Sequence, residues 1–330
     1  MRFLSPLVMS LLLSGIAASA QQPFAAVARQ TFADLLKTPL AHPAVEPTVH
    51  SRNVEEGLVI EDVSWPSLDD QVVPAFVIRP ADAEGPLPAV ICLHGSSGGR
   101  DSMATREFGP GEWVRHGRDT SHTRMLGWAR ELARRGYIVV AMTQRGLDSR
   151  GVPVNTQSNA LLVQGRTGMG SVLHEIRQAV SYLDGRDDVG KIGVTGMSFG
   201  GITSFYTWIV DDRIAAAAPI CGGVGSLESF IQLGSLSYHG TYWWIPDMLL
   251  KGDHGDFASA VAPRPLMLWA PTEDIGMPRE GVDRFRARVE PAYAQAGASD
   301  ALVIHQPPGK HSFTLDAFQA MEAFFKQTLH

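Results

Sequence analysis

Ser198 stands in Gly196-Met197-Ser198-Phe199-Gly200, directly after the short apolar run Lys191 to Thr195. A serine between two such glycines at a strand-to-helix turn has the spacing of a nucleophile elbow. Glycine is needed on both sides because the strained turn brings neighbouring backbone close. A serine hydroxyl is a weak nucleophile near neutral pH, so it needs a base within hydrogen-bond reach and a third group to orient that base. Downstream, Asp274 sits in Pro271-Thr272-Glu273-Asp274-Ile275-Gly276-Met277-Pro278, just beyond the run Leu266 to Ala270. His311 follows in Gln306-Pro307-Pro308-Gly309-Lys310-His311, after the run Leu302 to His305. Each of the three therefore follows a different strand, in the order serine, acid, histidine. Glu273 is the rival acid, with a longer side chain that could also reach.

A tetrahedral intermediate needs two donors to its oxygen. One is expected from the amide of Phe199, at the start of a helix carrying Ile202, Phe205, Tyr206 and Ile209, whose dipole also favours negative charge there. The other is expected from His94-Gly95-Ser96-Ser97, with the Ser96 amide preferred and Ser97 next. Competing motifs fail. His174-Glu175-Ile176-Arg177-Gln178 lacks the second histidine of a zinc signature, and no Cys or His cluster has ligand spacing, so no metal is expected. Gly223-Val224-Gly225 has Glu228 where a nucleotide-binding run needs its third glycine, so no dinucleotide is expected.

These residues need elements to hold them. Residues 1–20 carry one positive charge, Arg2, then an apolar run ending Ala18-Ser19-Ala20, the pattern of a secretory signal peptide cleaved after Ala20. The run is too short for a membrane span, so the mature chain is expected to be secreted or periplasmic, with no anchor. Residues 21–56 read as a helix (Phe24, Val27, Phe32, Leu35, Leu36) and an extended strap containing Pro39, Pro43 and Pro47. From residue 57 to 330 the pattern is one catalytic-type domain. Leu58 to Trp65 and Val72 to Ile78 read as an antiparallel hairpin. Apolar strands then alternate with helices over about 122–135, 170–183, 281–296 and 314–329. Such alternation builds an α/β fold, a mostly parallel sheet with helices on both faces and ligands at the strands' carboxyl ends.

The chain has 330 residues, 45% hydrophobic and 19% charged, enough to bury one large core. Its net charge of −6, one unit more negative without Arg2, does not suit nucleic acid. Arg100, Arg106, Arg115 and Arg118 alternate with Asp101, Glu107, Glu112 and Asp119 and read as a solvated mixed-charge loop. Cys92 and Cys221, the two cysteines, fall in apolar runs one strand apart in the expected sheet, too far to bridge.

Leu93-His94-Gly95, the helix exit Leu132-Ala133-Arg134-Arg135-Gly136-Tyr137, Arg186 to Gly193 before the elbow, Tyr238 to Pro246, and Ala262-Pro263-Arg264-Pro265-Leu266 together carry a resemblance. The sequence resembles the α/β-hydrolases, and within them the acetyl-xylan-esterase-like, dienelactone-hydrolase-related branch, over most of residues 70–330. That resemblance implies an eight-stranded sheet with antiparallel first strands, Ser198, Asp274 and His311 as triad, and ester hydrolysis without a cofactor. Dienelactone hydrolases proper use cysteine, so Ser198 argues against that activity. Relatives usually carry glycine at Ala270 and aspartate at Gln144. Gln144, Arg145 and Arg150 read as structural hydrogen-bonding residues.

The stretch 222–262 joins the strand after the elbow to the acid strand, so it is expected over the pocket. There Phe230, Tyr238, Tyr242, Trp243 and Trp244, with His239, would offer an aromatic wall; Ser97, Tyr242, Trp243, Trp244 and His239 are the candidate substrate contacts. The expected activity is hydrolysis of short-chain acyl esters, carbohydrate-linked ones among the candidates, through an acyl-enzyme on Ser198. A serine peptidase of the same fold and a non-catalytic binding protein of that fold are the alternatives.

Overall fold

The computed structural model describes residues 24–112 and 123–330. The signal-peptide expectation for residues 1–20 and part of the mixed-charge loop, including Arg115, Arg118 and Asp119, lie outside the described residues. In chain order, helix α1 (24–36) leads into β1 (Thr48–Glu55), β2 (Leu58–Pro66), β3 (Val72–Pro80) and β4 (Leu87–Leu93). Then follow α2 (Arg100–Ala104), β5 (Gly109–Glu112), β6 (Thr123–Leu126), α3 (Trp128–Arg134), β7 (Ile138–Met142), α4 (Val154–Val163) and α5 (Gly168–Asp184). The elbow region is β8 (Val189–Met197), α6 (Phe199–Val210) and β9 (Ile214–Ile220). The chain closes with α7 (Leu227–Gln232), α8 (Met248–Lys251), α9 (His254–Ala260), β10 (Leu266–Trp269), α10 (Arg279–Gln295), β11 (Leu302–His305) and α11 (Leu315–Leu329).

Nine strands form one sheet in the order β1-β2-β3-β7-β4-β8-β9-β10-β11, and β5 pairs with β6 in a separate ribbon. The first three strands and the β3–β7 contact are antiparallel; from β7 to β11 every pair is parallel. At the centre, Ile91 of β4 faces Val140 of β7 on one side and Val194 of β8 on the other. Strands so placed are covered on both faces and must be apolar throughout, which is what Val90-Ile91-Cys92-Leu93 supplies.

The resemblance implied eight strands; the ninth is β1, from the end of the strap. Its side chains are exposed almost throughout and it pairs with β2 by backbone hydrogen bonding, as Val54↔Val59 and Asn53↔Ile60. An edge strand exposed on both faces needs no apolar alternation.

Helices cover the sheet on both sides. Phe32 of α1, Ile176 and Val180 of α5, Phe205 and Trp208 of α6, and Phe285 of α10 pack in one layer. Leu132 of α3 and Phe318, Met321 and Phe325 of α11 pack in the other. Among the described residues no helix is long and apolar enough to cross a membrane. Cys92 and Cys221 are buried and unpaired, with β8 between their strands.

Arg145 and Arg150 hold loops together. Arg150 donates to both oxygens of the fully buried Glu175 (2.5 and 3.0 Å) and to the Thr143 carbonyl (3.1 Å). Arg145 reaches Asp69 (2.6 Å) and the Leu68 carbonyl (3.1 Å). Arg100, expected in a solvated loop, instead donates to Asp62 at 2.6 Å and lies over the Phe76 ring at 4.1 Å.

Candidate active site

Strands β4, β8, β10 and β11 end on the same edge of the sheet, and the loops that leave them meet. Ser198 follows β8 with φ 57° and ψ −115°, left-handed backbone that a non-glycine residue holds only when its surroundings fix it. Those surroundings are close. A Cβ at Gly196 or at Gly200 would overlap the Leu93 carbonyl oxygen at the end of β4. The Ser198 amide is tied to the Ile220 carbonyl of β9 at 2.9 Å. The glycines thus let β4, β8 and α6 approach, and the approach lifts Ser198, half-buried, to the tip of the turn.

The acid loop and the histidine loop are joined directly. His311 Nδ1 lies 2.8 Å from Asp274 Oδ2, and both residues are buried, at 3% and 2% exposure. Asp274 Oδ1 accepts the Gly276 amide at 2.8 Å. The carboxylate is therefore fixed from two sides, and in accepting from Nδ1–H it leaves His311 Nε2 as the ring's base. Glu273 is exposed, so the structure brings Asp274 and not Glu273 to the histidine.

Ser198 and His311 line one small cleft with His94, Gly95, Ser96 and Ser97. Its volume is about 40 Å³. On the same measure a cavity needs about 10–15 Å³ to hold a single water, so the cleft is small. A Cβ on Gly95 would sit 3.5 Å from Ser198 Cβ, which puts the β4 loop against the nucleophile's own side chain. Phe199 opens α6, so its amide is an unpaired helix N-terminal donor beside Ser198.

One side chain locks the β4 loop onto α6. Gln144 Nε2 donates to the His94 carbonyl at 2.7 Å, and its Oε1 accepts from the Thr203 hydroxyl of α6 at 2.8 Å. The Gln144 amide donates to His94 Nε2 at 3.0 Å, while Nδ1 reaches the Gly95 carbonyl at 2.7 Å. An aspartate here would lack the N–H that holds the His94 carbonyl. The departure at Gln144 thus shapes the loop carrying Ser96.

The aromatic wall is placed differently from the expectation. Of Ser97, Tyr242, Trp243, Trp244 and His239, Ser97 alone lines the cleft with Ser198. Trp243 is 2% exposed and belongs to the core. With Trp244 it lines a separate apolar cavity of about 370 Å³ beside Leu227, Ile245 and Met248. Tyr242 meets the Phe199 ring edge-on at 4.7 Å. His239 stacks on Trp243 (4.3 Å between rings, 9° apart) and bonds the Gly276 carbonyl at 2.9 Å. The reason is physical: large rings gain most where they are fully buried. The stretch 222–262 therefore props the acid loop from behind, and its Tyr238 meets the His311 ring edge-on at 6.2 Å.

Among the described residues two groups place metal-ligand atoms within 4.8 Å of one another: Cys221, Asp274 and His311, and His42, Asp211 and Asp212. In the first, Asp274 already holds His311, and burial pushes the Cys221 thiol well up, against thiolate formation. In the second, Asp211 already holds the guanidinium groups of Arg177 and Arg213, which oppose a cation.

Burial pulls His94, His239 and His254 each down to about 4 from an ordinary 6.5. The folded chain keeps them neutral while the unfolded chain takes up protons near 6.5, so the unfolded state binds more protons between those values and stability falls as pH drops through that window. The unfolding midpoint in urea should be flat above pH 6.5 and decline steadily from 6.5 to 4. Carboxylates held low by arginine, such as Asp188 and Glu55, act only below about 4.5. A midpoint constant from pH 7 to 4.5 would contradict this burial.

The family model described as X-Pro dipeptidyl-peptidase (S15 family) matches residues 69–260, more than half of the chain. The chain belongs to this family. A relative from Bacillus subtilis (strain 168), "Putative hydrolase YtaP", is 28% identical over 286 residues, covering 86% of this chain and 92% of its own. Among solved structures, a "putative acetyl xylan esterase" from Bacteroides fragilis NCTC 9343 superposes with a TM-score of 0.69 at 19% identity. It covers 92% of this S15-family chain and 83% of its own. A glucuronoyl esterase from Solibacter usitatus gives 0.68 at 15% identity, covering 90% and 91%. At such identities the superpositions establish the fold, and the fold is that of the α/β-hydrolases. The chain is a hydrolase by family.

One residue of the cleft went unremarked in the sequence. Arg124, in β6, lines it beside Ser97 and Ser198. It lies outside every motif, and among the described residues only its lack of a carboxylate within 4.0 Å, visible in three dimensions, singles it out.

Proposed function

We propose that this chain is a serine esterase that cleaves short-chain acyl esters through an acyl-enzyme on Ser198. The observation that carries the reading is the junction of three loops: a strained Ser198 and a buried Asp274–His311 pair on one edge of the sheet, with Ser198 and His311 lining the same cleft. His311 takes the serine proton at Nε2 as Oγ attacks the carbonyl carbon. Asp274 holds Nδ1–H and stabilises the imidazolium. The amides of Phe199 and Ser96 receive the oxyanion, His311 returns the proton to the leaving alcohol, and water repeats the cycle on the acyl-serine.

The size of the cleft supports an acetyl-sized acyl group, and the fold's likeness to acetyl xylan and glucuronoyl esterases supports an ester, with carbohydrate as one alcohol to test. A secreted or periplasmic location, resting on residues 1–20, is part of the same proposal. A second reading, a serine peptidase, is favoured by the S15 family model. Hydrolysis of p-nitrophenyl acetate and of Ala-Pro-p-nitroanilide by the same preparation separates the two. The ester reading expects kcat/KM on the acetate to exceed that on the anilide after each is divided by its uncatalysed rate. Preference for the anilide on that basis would install the peptidase reading instead.

A further inference from the structure

We infer that Arg124 reads a carboxylate on the substrate, so that the preferred ester is anionic; this rests on the esterase reading of Ser198. Arg124 is half-buried and lines the Ser198–His311 cleft. Its Nε is buried with no hydrogen-bond partner, and its one contact, Nη1 to the Ser97 carbonyl, is at 3.5 Å, the outer edge of hydrogen bonding. Among the described residues this isolation sets it apart. The other described arginines each have a carboxylate within 4.0 Å, as Arg100 has Asp62, Arg166 has Asp69 and Arg288 has Asp256. Arg264 is the exception, and it donates to three backbone carbonyls at 2.5 to 2.8 Å.

A guanidinium with a buried, unmatched N–H is a cost to the free protein unless something else supplies the acceptor. In a cleft that also holds a candidate nucleophile and base, the something else is a ligand. The planar fork of arginine fits a carboxylate by two parallel bonds, while a neutral ester offers only single, weaker acceptors. Arg124 is thus placed to select among substrates and, paired with Gly111 across the β5–β6 ribbon, to orient an anionic ester toward Ser198.

Two matched pairs of esters test this and tell which half of the substrate carries the charge. For the alcohol side, 4-acetoxybenzoate is compared with 4-acetoxybenzamide. For the acyl side, monophenyl glutarate is compared with its neutral glutaramate counterpart. In one pair at least, the wild-type chain should favour the carboxylate by about 10- to 100-fold in kcat/KM, the worth of a charge-assisted contact. Arg124→Gln should abolish that preference, mainly through KM, with less than about a threefold change on the neutral partner. Arg124→Lys should restore part of it. Equal rates on both members of both pairs, a preference that survives Arg124→Gln, or an equal fall on charged and neutral esters would overturn the inference while leaving the esterase reading standing. Inactivity of the wild type on all four esters would remove both.

Discussion

Ser198→Ala should lower kcat for p-nitrophenyl acetate by about a million-fold, the scale set by removing the nucleophile from a serine triad. The fold should survive, because what holds the turn is the packing of Gly196 and Gly200 against the Leu93 carbonyl and the bond from the Ser198 amide to Ile220, neither of which involves the hydroxyl. Alanine also has no greater difficulty than serine with the left-handed backbone. An unchanged melting temperature therefore accompanies the loss. Residual activity should reflect the oxyanion donors and binding alone, about 1,000- to 10,000-fold over water. Activity within tenfold of wild type would show that the hydrolysis seen arises elsewhere.

Asp274→Asn has the second largest expected effect, a fall of about 10,000-fold in kcat with KM little changed. The amide cannot accept from Nδ1–H through its nitrogen, so the ring is no longer held with Nε2 as base. The Gly276 amide can still bond the remaining oxygen, so the loop keeps its shape. Glu273→Gln serves as the control. Glu273 is exposed and its neighbour already occupies His311, so its neutralisation should leave kcat within about twofold. If Glu273→Gln were the damaging change, the acid assignment would have to be exchanged.

Much of this arrangement was legible as one-dimensional pattern. The parallel strands are short, wholly apolar and bounded by turn residues, and burial on two faces demands that. The loops after them carry the reactive types in an order that strand alternation puts on one edge. Three things were not legible, each for its own reason. Strand β1 lies at the sheet's edge with its side chains in solvent, so its residues carry no apolar rhythm and read as strap. The aromatics of 222–262 are equally suited to a cleft or a core; their placement depends on where the acid loop lies, and His239 and Trp243 stack behind Gly276 instead of facing Ser198. Arg124 was invisible because its distinguishing property, among the described residues, is the lack of a carboxylate within reach, which no sequence displays.

Gln144 shows how a departure from a family pattern becomes informative once contacts are known. As a letter it marks a difference near the fourth strand. As a side chain it bridges the His94 carbonyl and the Thr203 hydroxyl, tying the loop that bears Ser96 to the helix that bears Phe199. The two expected oxyanion donors are thereby set relative to each other, and pre-set donors make an oxyanion hole effective.

The central claim, that Ser198 is the activated nucleophile, is most directly tested by covalent capture. The wild-type chain is treated with a fluorophosphonate, digested and mapped by mass spectrometry, beside Ser198→Ala and His311→Ala. The account predicts one adduct, on Ser198, formed rapidly in the wild type, absent from Ser198→Ala and slowed by orders of magnitude in His311→Ala. An adduct on another residue, or no adduct on a folded protein, would contradict it.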